Sequence, residues 1–153
     1  HPRTLVATQY VNEAKIMFHT LDLSTSGMVA QRQRINTIAG NIANINSTRD
    51  AEGKLSPFQR KLITFQARTD DPQASKGGVG VSFNVATDTE TPPRTIYNPG
   101  HPDADAKGYV QFPGINLTTE FVNAIDASRA YEANVSAVDI TKSMMSETLK
   151  ILA

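Results

Sequence analysis

The side chains best suited to chemistry are His101, Asp103 and Asp105, an imidazole and two carboxylates within five positions of one loop. Together they offer the nitrogen and oxygen donors of a divalent-metal site, and with it metal-dependent hydrolysis. Their spacing matches no established ligand pattern, and His1 and His19 lie far away in the chain. A solvated loop between prolines is the competing reading. Gly77-Gly78-Val79-Gly80 superficially resembles a phosphate-cradling loop, but the alternating residues after it spell a strand, where a phosphate site needs a helix N-terminus. A hairpin turn fits better.

Three N-x-S/T matches, at Asn46, Asn116 and Asn134, read as chance, since Asn134 falls within a long helical pattern. Asn41 and Asn44 sit one turn apart beside an isoleucine stripe. Two readings stay open for them: a solvated amide face, or interhelical hydrogen bonds that fix packing register. Neither is catalytic, and no cofactor or metal is expected.

Composition narrows the function further. Fifteen Lys and Arg balance fifteen Asp and Glu, so the charge footprint of a nucleic-acid binder or polybasic membrane anchor is missing. Without cysteine there is no disulfide, thiolate nucleophile or Cys-ligated zinc. No apolar run approaches the length of a membrane span, and His1-Pro2-Arg3-Thr4 lacks the layout of a secretory signal, so neither membrane insertion nor general secretory export is expected. At 39% hydrophobic and 7% aromatic residues, with no Trp, a chain of 153 residues has little with which to build one core. Part of it is expected to bury its apolar surface on something else.

The elements that must carry these residues are two helices flanking a β-rich middle. Leu21, Met28, Ile35 and Ile42 recur every seventh position, with Ile38 and Ile45 between them. Ser24 or Ser26 is expected to cap this helix, and Asn46-Ser47-Thr48 with Asp50 and Gly53 to end it. In the C-terminal segment Leu117, Ala124, Tyr131, Val138, Met145 and Leu152 form one heptad series, and Phe121, Ser128, Val135, Lys142 and Leu149 a companion series. Asn116 or Thr118 caps its start, and the helix extends for roughly 50 Å. Stripes this long and narrow exceed any core the chain can supply, so both helices should fray in an isolated subunit.

Between them, residues 58–67 are expected to form a strand ending before Asp70-Asp71-Pro72. Val79, Val81, Phe83 and Val85 alternate as a second strand after Gly77-Gly78. Thr91-Pro92-Pro93 through His101-Pro102 reads as turns, and Tyr109-Val110-Gln111-Phe112 as a short strand. The fold class is therefore α+β: long N- and C-terminal helices pairing in a coiled-coil-like domain, with a small β-rich module inserted. The expected division is a discontinuous helical assembly domain, 17–50 with 116–153, and a β module over 54–115.

Several strings then carry a resemblance. Ser26-Gly27-Met28-Val29-Ala30-Gln31-Arg32 and Asn41-Ile42-Ala43-Asn44-Ile45-Asn46-Ser47-Thr48 resemble the N-terminal signature of flagellar rod, hook and filament-junction axial proteins. Tyr97-Asn98-Pro99-Gly100-His101-Pro102, the run from Ala104 to Val110, the run from Ala127 to Val135, and Lys142-Ser143-Met144-Met145 are similar to the proximal rod members of the flagellar basal-body rod family. The likeness covers Met17 to the C-terminus. Residues 1–16 fall outside it, as an extended start or a remnant of cloning, and Gly40 stands where the family often has Asn or Ser. A glycine there suggests close helix approach.

The resemblance implies a non-enzymatic structural subunit of the rod crossing the periplasm, exported unfolded by the flagellar type III apparatus and polymerising into a torque-transmitting drive shaft. It implies as partners other copies of the chain, other rod proteins, and basal-body ring and export-gate components, with no nucleic acid. The assembly interface expected from the two stripes comprises Met28, Ile35, Ile38, Asn41, Ile42, Asn44, Ile45, Phe121, Ala124, Tyr131, Val135, Val138, Met145, Leu149 and Leu152. A helical adaptor or chaperone-like binding module is the alternative, and a metal-dependent hydrolase using His101, Asp103 and Asp105 a distant third.

Overall fold

The computed structural model describes residues 2–68 and 80–152, and the side chains of residues 12, 14–68 and 80–150. The element order is α1 (Pro2–Ala43), β1 (Lys61–Ala67), β2 (Val81–Thr87), β3 (Arg94–Tyr97), β4 (Tyr109–Phe112) and α2 (Leu117–Leu152). Two long helices thus flank a β region of two small sheets, β1 with β2 and β3 with β4. This is the expected α+β architecture. The expected turns at Asp70-Asp71-Pro72 and Gly77-Gly78, the strand residue Val79 and the Leu152 side chain lie outside the described residues.

The chain forms two compact units. One comprises the described parts of His1–Arg32, Phe65–Phe83 and Ser128–Ala153; the other comprises Gln33–Thr64 and Asn84–Ala127. In the second unit the core is thin: Ile38, Val110, Ile115 and Ala127 are buried, with the polar Thr37, Asn41, Thr48 and Glu120 among them. As residue numbers fall along α1 they rise along α2, Ile45 lying near Leu117, Asn41 against Glu120, and Arg34 to Ile38 near Asn123. The helices therefore run antiparallel there.

The strand β3 was not expected, because its four residues sit between Pro92-Pro93 and Asn98-Pro99. Its conformation is imposed by β4, which it pairs antiparallel in the register Arg94↔Phe112, Thr95↔Gln111, Ile96↔Val110 and Tyr97↔Tyr109. The connecting loop requires Gly108, whose φ is +81° and where a Cβ would lie 2.9 Å from the Tyr97 ring and 3.1 Å from Pro99. Tyr97 and Tyr109 close the hairpin edge to face, with ring centroids 5.3 Å apart. In β1, regular strand starts at Lys61 and not at Phe58, since the Phe58 N–H is donated to the Ser47 carbonyl.

Helix α1 starts at Pro2, well before the expected cap. Ser26 lies within the helix and links it to the sheet. Its Oγ donates to the Leu23 carbonyl and accepts the Val81 N–H at 3.0 Å, fastening the start of β2 to α1 within the first unit. Helix α2 begins as expected, with Asn116 Oδ1 accepting the Thr119 N–H at 3.1 Å. The expected close approach at Gly40 is not found. A Cβ there meets nothing within 4 Å, whereas one at Gly27 would lie 3.0–3.3 Å from the Asn134 amide of α2.

Candidate assembly surface

Beside the half-buried Asn123, Ala130, Val135 and Ala137, α2 carries a line of buried and half-buried positions: Glu120, Ala124, Ala127, Tyr131, Asn134, Val138, Thr141, Met145 and Thr148. They alternate in steps of four and three, the spacing of a heptad seam. The series Ala124, Tyr131, Val138, Met145 is turned inward as its period requires. The inward companions, however, are Glu120, Ala127, Asn134, Thr141 and Thr148, one position before the apolar companion series. They are small or polar. Thr141 and Thr148 satisfy their hydroxyls by donating to carbonyls four residues back, so they occupy the seam without needing a partner.

The displaced series faces solvent except at Val135, which is half-buried. Phe121 is 53% exposed and Leu149 64%, and Ser128 and Lys142 are exposed as well. Ser128 and Lys142 are therefore not polar intrusions in an intrachain seam. Val122, Ile125, Ile140 and Met144, which the heptad reading missed, are more than half exposed. On α1, Ile16 and Phe18 are similarly exposed. Isolated exposed apolar side chains are ordinary; rows of them at helical spacing on a surface helix are not. Leu117, Phe121 and Ile125 follow one another at four-residue steps, and Ile140 and Met144 repeat the step.

The other expected interface residues are distributed as follows. Ile38 and Asn41 are buried within the second unit. Met28, Ile35, Ile42, Asn44, Ile45, Ala124, Tyr131, Val135, Val138 and Met145 are half-buried. Asn44 closes its own helix end: Nδ2 donates to the Gly40 carbonyl and Oδ1 accepts from Ser47 Oγ. Asn41 makes the interhelical bond, donating from Nδ2 to Glu120 Oε2 at 3.1 Å. The same amide receives the Lys61 N–H at 2.8 Å and donates to the Lys61 carbonyl at 2.9 Å. Arg60 Nε donates to Glu120 Oε1 at 2.7 Å, and its Nη2 completes the ion pair.

The metal candidates are otherwise engaged. Asp103 accepts from Thr48 Oγ1 and is paired with Arg49. The Thr48 hydroxyl first, then Arg49, hold its carboxyl below the usual carboxylate range. Asp105 Oδ1 accepts the Lys107 and Tyr109 N–H groups, and His101 Nδ1 accepts the Asp103 N–H. Among the described residues no group of three or more His, Cys, Asp or Glu could hold a metal, and no helix is long and apolar enough to cross a membrane.

The surface thus offers apolar rows for contact. Comparison with known proteins agrees with that character. Residues 21–49 match the family described as flagella basal body rod protein, and residues 106–151 match that described as flagellar basal body rod FlgEFG protein C-terminal. Flagellar basal-body rod protein FlgC of Yersinia enterocolitica is 40% identical over 135 residues, 88% of this chain and 97% of that protein. FlgC of Escherichia coli O6:H1 is 38% identical with the same coverage, and FlgC of Bacillus subtilis 33% identical over 145 residues, 88% of this chain and 97% of that protein. By the extent of these matches, the chain belongs to the FlgC family of flagellar basal-body rod proteins.

Proposed function

We infer that this chain is a structural subunit of the proximal rod of the bacterial flagellar basal body, and that it acts by polymerising through its terminal helices. One observation carries the physical side of this reading: alongside an inward seam that is half small or polar, α2 leaves Phe121, Val122, Ile125, Ile140, Met144 and Leu149 more than half exposed. A monomer gains nothing from that arrangement. Each large side chain buried between subunits contributes about 1.5 to 3 kcal/mol, so a few per subunit suffice to drive association. Repeated contacts between unlike faces, related by a rotation that does not close, generate a helical tube. Such a tube transmits torque through many parallel contacts, with no bond turnover.

In this reading the helical segments, 17–50 with 116–153, are the assembly domain and 54–115 is a β module that decorates it. Neighbouring subunits are copies of this chain and other rod proteins, with basal-body ring and export-gate components at the rod's base. The role is non-catalytic. The test is growth of polymers as concentration rises, followed by light scattering and electron microscopy. Continued growth into rods or tubes is expected; arrest at one small stoichiometry would instead identify an adaptor.

A further inference from the structure

Asn41, Arg60 and Glu120 come from α1, the residue before β1, and α2, and they meet at one buried point of the second unit. Asn41 and Glu120 are each 1% exposed. Lys61 presents both of its free backbone groups to Asn41, so the amide has only one orientation that satisfies them. Arg60 and Asn41 then claim one oxygen each of the Glu120 carboxylate. Such a cluster is a poor way to gain stability, because burying charges is costly and apolar side chains of similar size often serve as well. Its strength is discrimination. The other side chains that the two helices bury or half-bury here include Thr37 and Ile38 of α1 and Ala124 and Ala127 of α2, small or aliphatic groups with no polar geometry to forbid sliding by a turn or a heptad beyond the Thr37 hydroxyl, which is satisfied within its own helix. Sliding would leave the Asn41 amide, the Glu120 carboxylate and the Lys61 backbone groups buried without partners.

We propose that the Asn41–Arg60–Glu120 cluster is a registration lock: it selects one alignment of α1 on α2, ties it to the first residue of β1, and so fixes which face of α2 turns Phe121 and Ile125 outward. These are positioning residues. Their action is through one another and Lys61, with the Asn41 amide and the Glu120 carboxylate both engaged inside the unit. The proposal rests on the assembly reading only for the purpose of the outward face; the alignment itself is measured in the isolated subunit.

The chain has no cysteine, so introduced pairs report alignment without background. Within the same unit, Ile38→Cys with Asn123→Cys marks the observed alignment, the two residues lining one cavity, and Ile38→Cys with Thr119→Cys or Ala127→Cys marks a shift of one turn either way. Under mild oxidation, only the first pair should form a disulfide in the otherwise unchanged protein. Adding Asn41→Leu, Arg60→Met and Glu120→Leu should preserve far-ultraviolet helicity while the ratio of aligned to shifted disulfide falls at least tenfold. An unchanged ratio overturns the lock. Should the triple variant not fold, Asn41→Ala alone leaves the Arg60–Glu120 pair in place and must still lower the ratio; an unchanged ratio there overturns the proposal equally. Failure of the unmodified subunit to polymerise, with its disulfides still exclusively aligned, would count against the assembly reading and leave the lock standing.

Discussion

Gly27 lies so close to Asn134 that any Cβ at position 27 would stand 3.0 Å from the Asn134 Nδ2 and 3.2 Å from its Oδ1. The glycine is therefore used for close approach, and the opposing atoms are the end of a flexible side chain. Gly27→Ala should change stability little, because about 1 kcal/mol of helix propensity is offset by the displaced amide. Gly27→Leu cannot be absorbed this way and should lower stability by about 1 to 3 kcal/mol through overpacking. Thermal unfolding of the two variants checks this. Equal melting points would show that the helices are not held at this distance.

The inward and outward faces of α2 predict two kinds of failure. Phe121→Asp and Leu149→Asp alter side chains more than half exposed, so the subunit should fold normally while polymerisation stops and cells lose a complete rod and motility. Val138→Asp is different. Val138 is half-buried on the inward seam, and a carboxylate there gives up part of its hydration, so the helix packing itself should weaken by roughly 1 to 3 kcal/mol. Unfolding curves and motility assays of the same variants separate the two. Wild-type motility with Phe121→Asp and Leu149→Asp combined would remove α2 from the assembly contact.

The heptad period and the cap at Asn116 were legible in the sequence because both are local: spacing along one helix and a side chain three residues from the N–H it receives. The choice of companion series was not. Phe121 and Leu149 look like seam residues by hydrophobicity, yet the inward positions go to Ala127 and Thr141, because helices that approach at a glycine need small volumes between them. The signal was present in Gly27 and in the heptad run Ala127, Asn134, Thr141 and Thr148, small or polar residues one position before the companion series. Asn41 was recognised as a possible register residue, but its partners, Lys61 and Glu120, are fixed by tertiary contact alone. The strand β3 was hidden for the same reason, its conformation depending on β4 and not on its own four residues. Metal chemistry at Asp103 was suggested by residue type and is answered by Thr48 and Arg49, more than fifty positions away.

The β3–β4 hairpin should depend on one backbone angle. With φ at +81° and the Tyr97 ring 2.9 Å from the would-be Cβ, Gly108→Ala meets both strain and a clash. A loss of roughly 1 to 3 kcal/mol is expected, with the Tyr97–Tyr109 contact disturbed. Urea unfolding monitored by tyrosine fluorescence reads both. No change in midpoint would show that the loop adopts another path at no cost.

Hydrogen exchange in dilute subunit should divide each helix. Amides near the lock, from Arg34 to Ala43 and from Glu120 to Ala127, have buried neighbours and should exchange slowly. Those from Ala14 to Leu23 and from Ile140 to Lys150 carry largely exposed side chains and should exchange within seconds to minutes, slowing on assembly. Uniform slow exchange along both helices would mean that the subunit is rigid before it polymerises.

Acid should loosen the loop that contains Asp103. Its carboxyl is held below the ordinary range by the Thr48 hydroxyl and Arg49, so the folded state binds its proton more weakly than the unfolded chain does. The stability this contributes is fully present above the unfolded value of about 3.9 and is lost as pH falls through the lower folded value. Asp88, held low by the Thr91 hydroxyl and the Thr91 and Glu90 N–H groups, acts in the same direction. Asp103→Asn should therefore reduce stability at neutral pH and flatten the acid limb of the stability profile, with the two proteins converging once pH has fallen through the lowered folded value. Denaturant midpoints measured from neutral pH down through the acid limb decide the matter. An acid limb as steep in Asp103→Asn as in the unchanged protein would show that the Thr48–Arg49–Asp103 contacts do not hold the loop in solution.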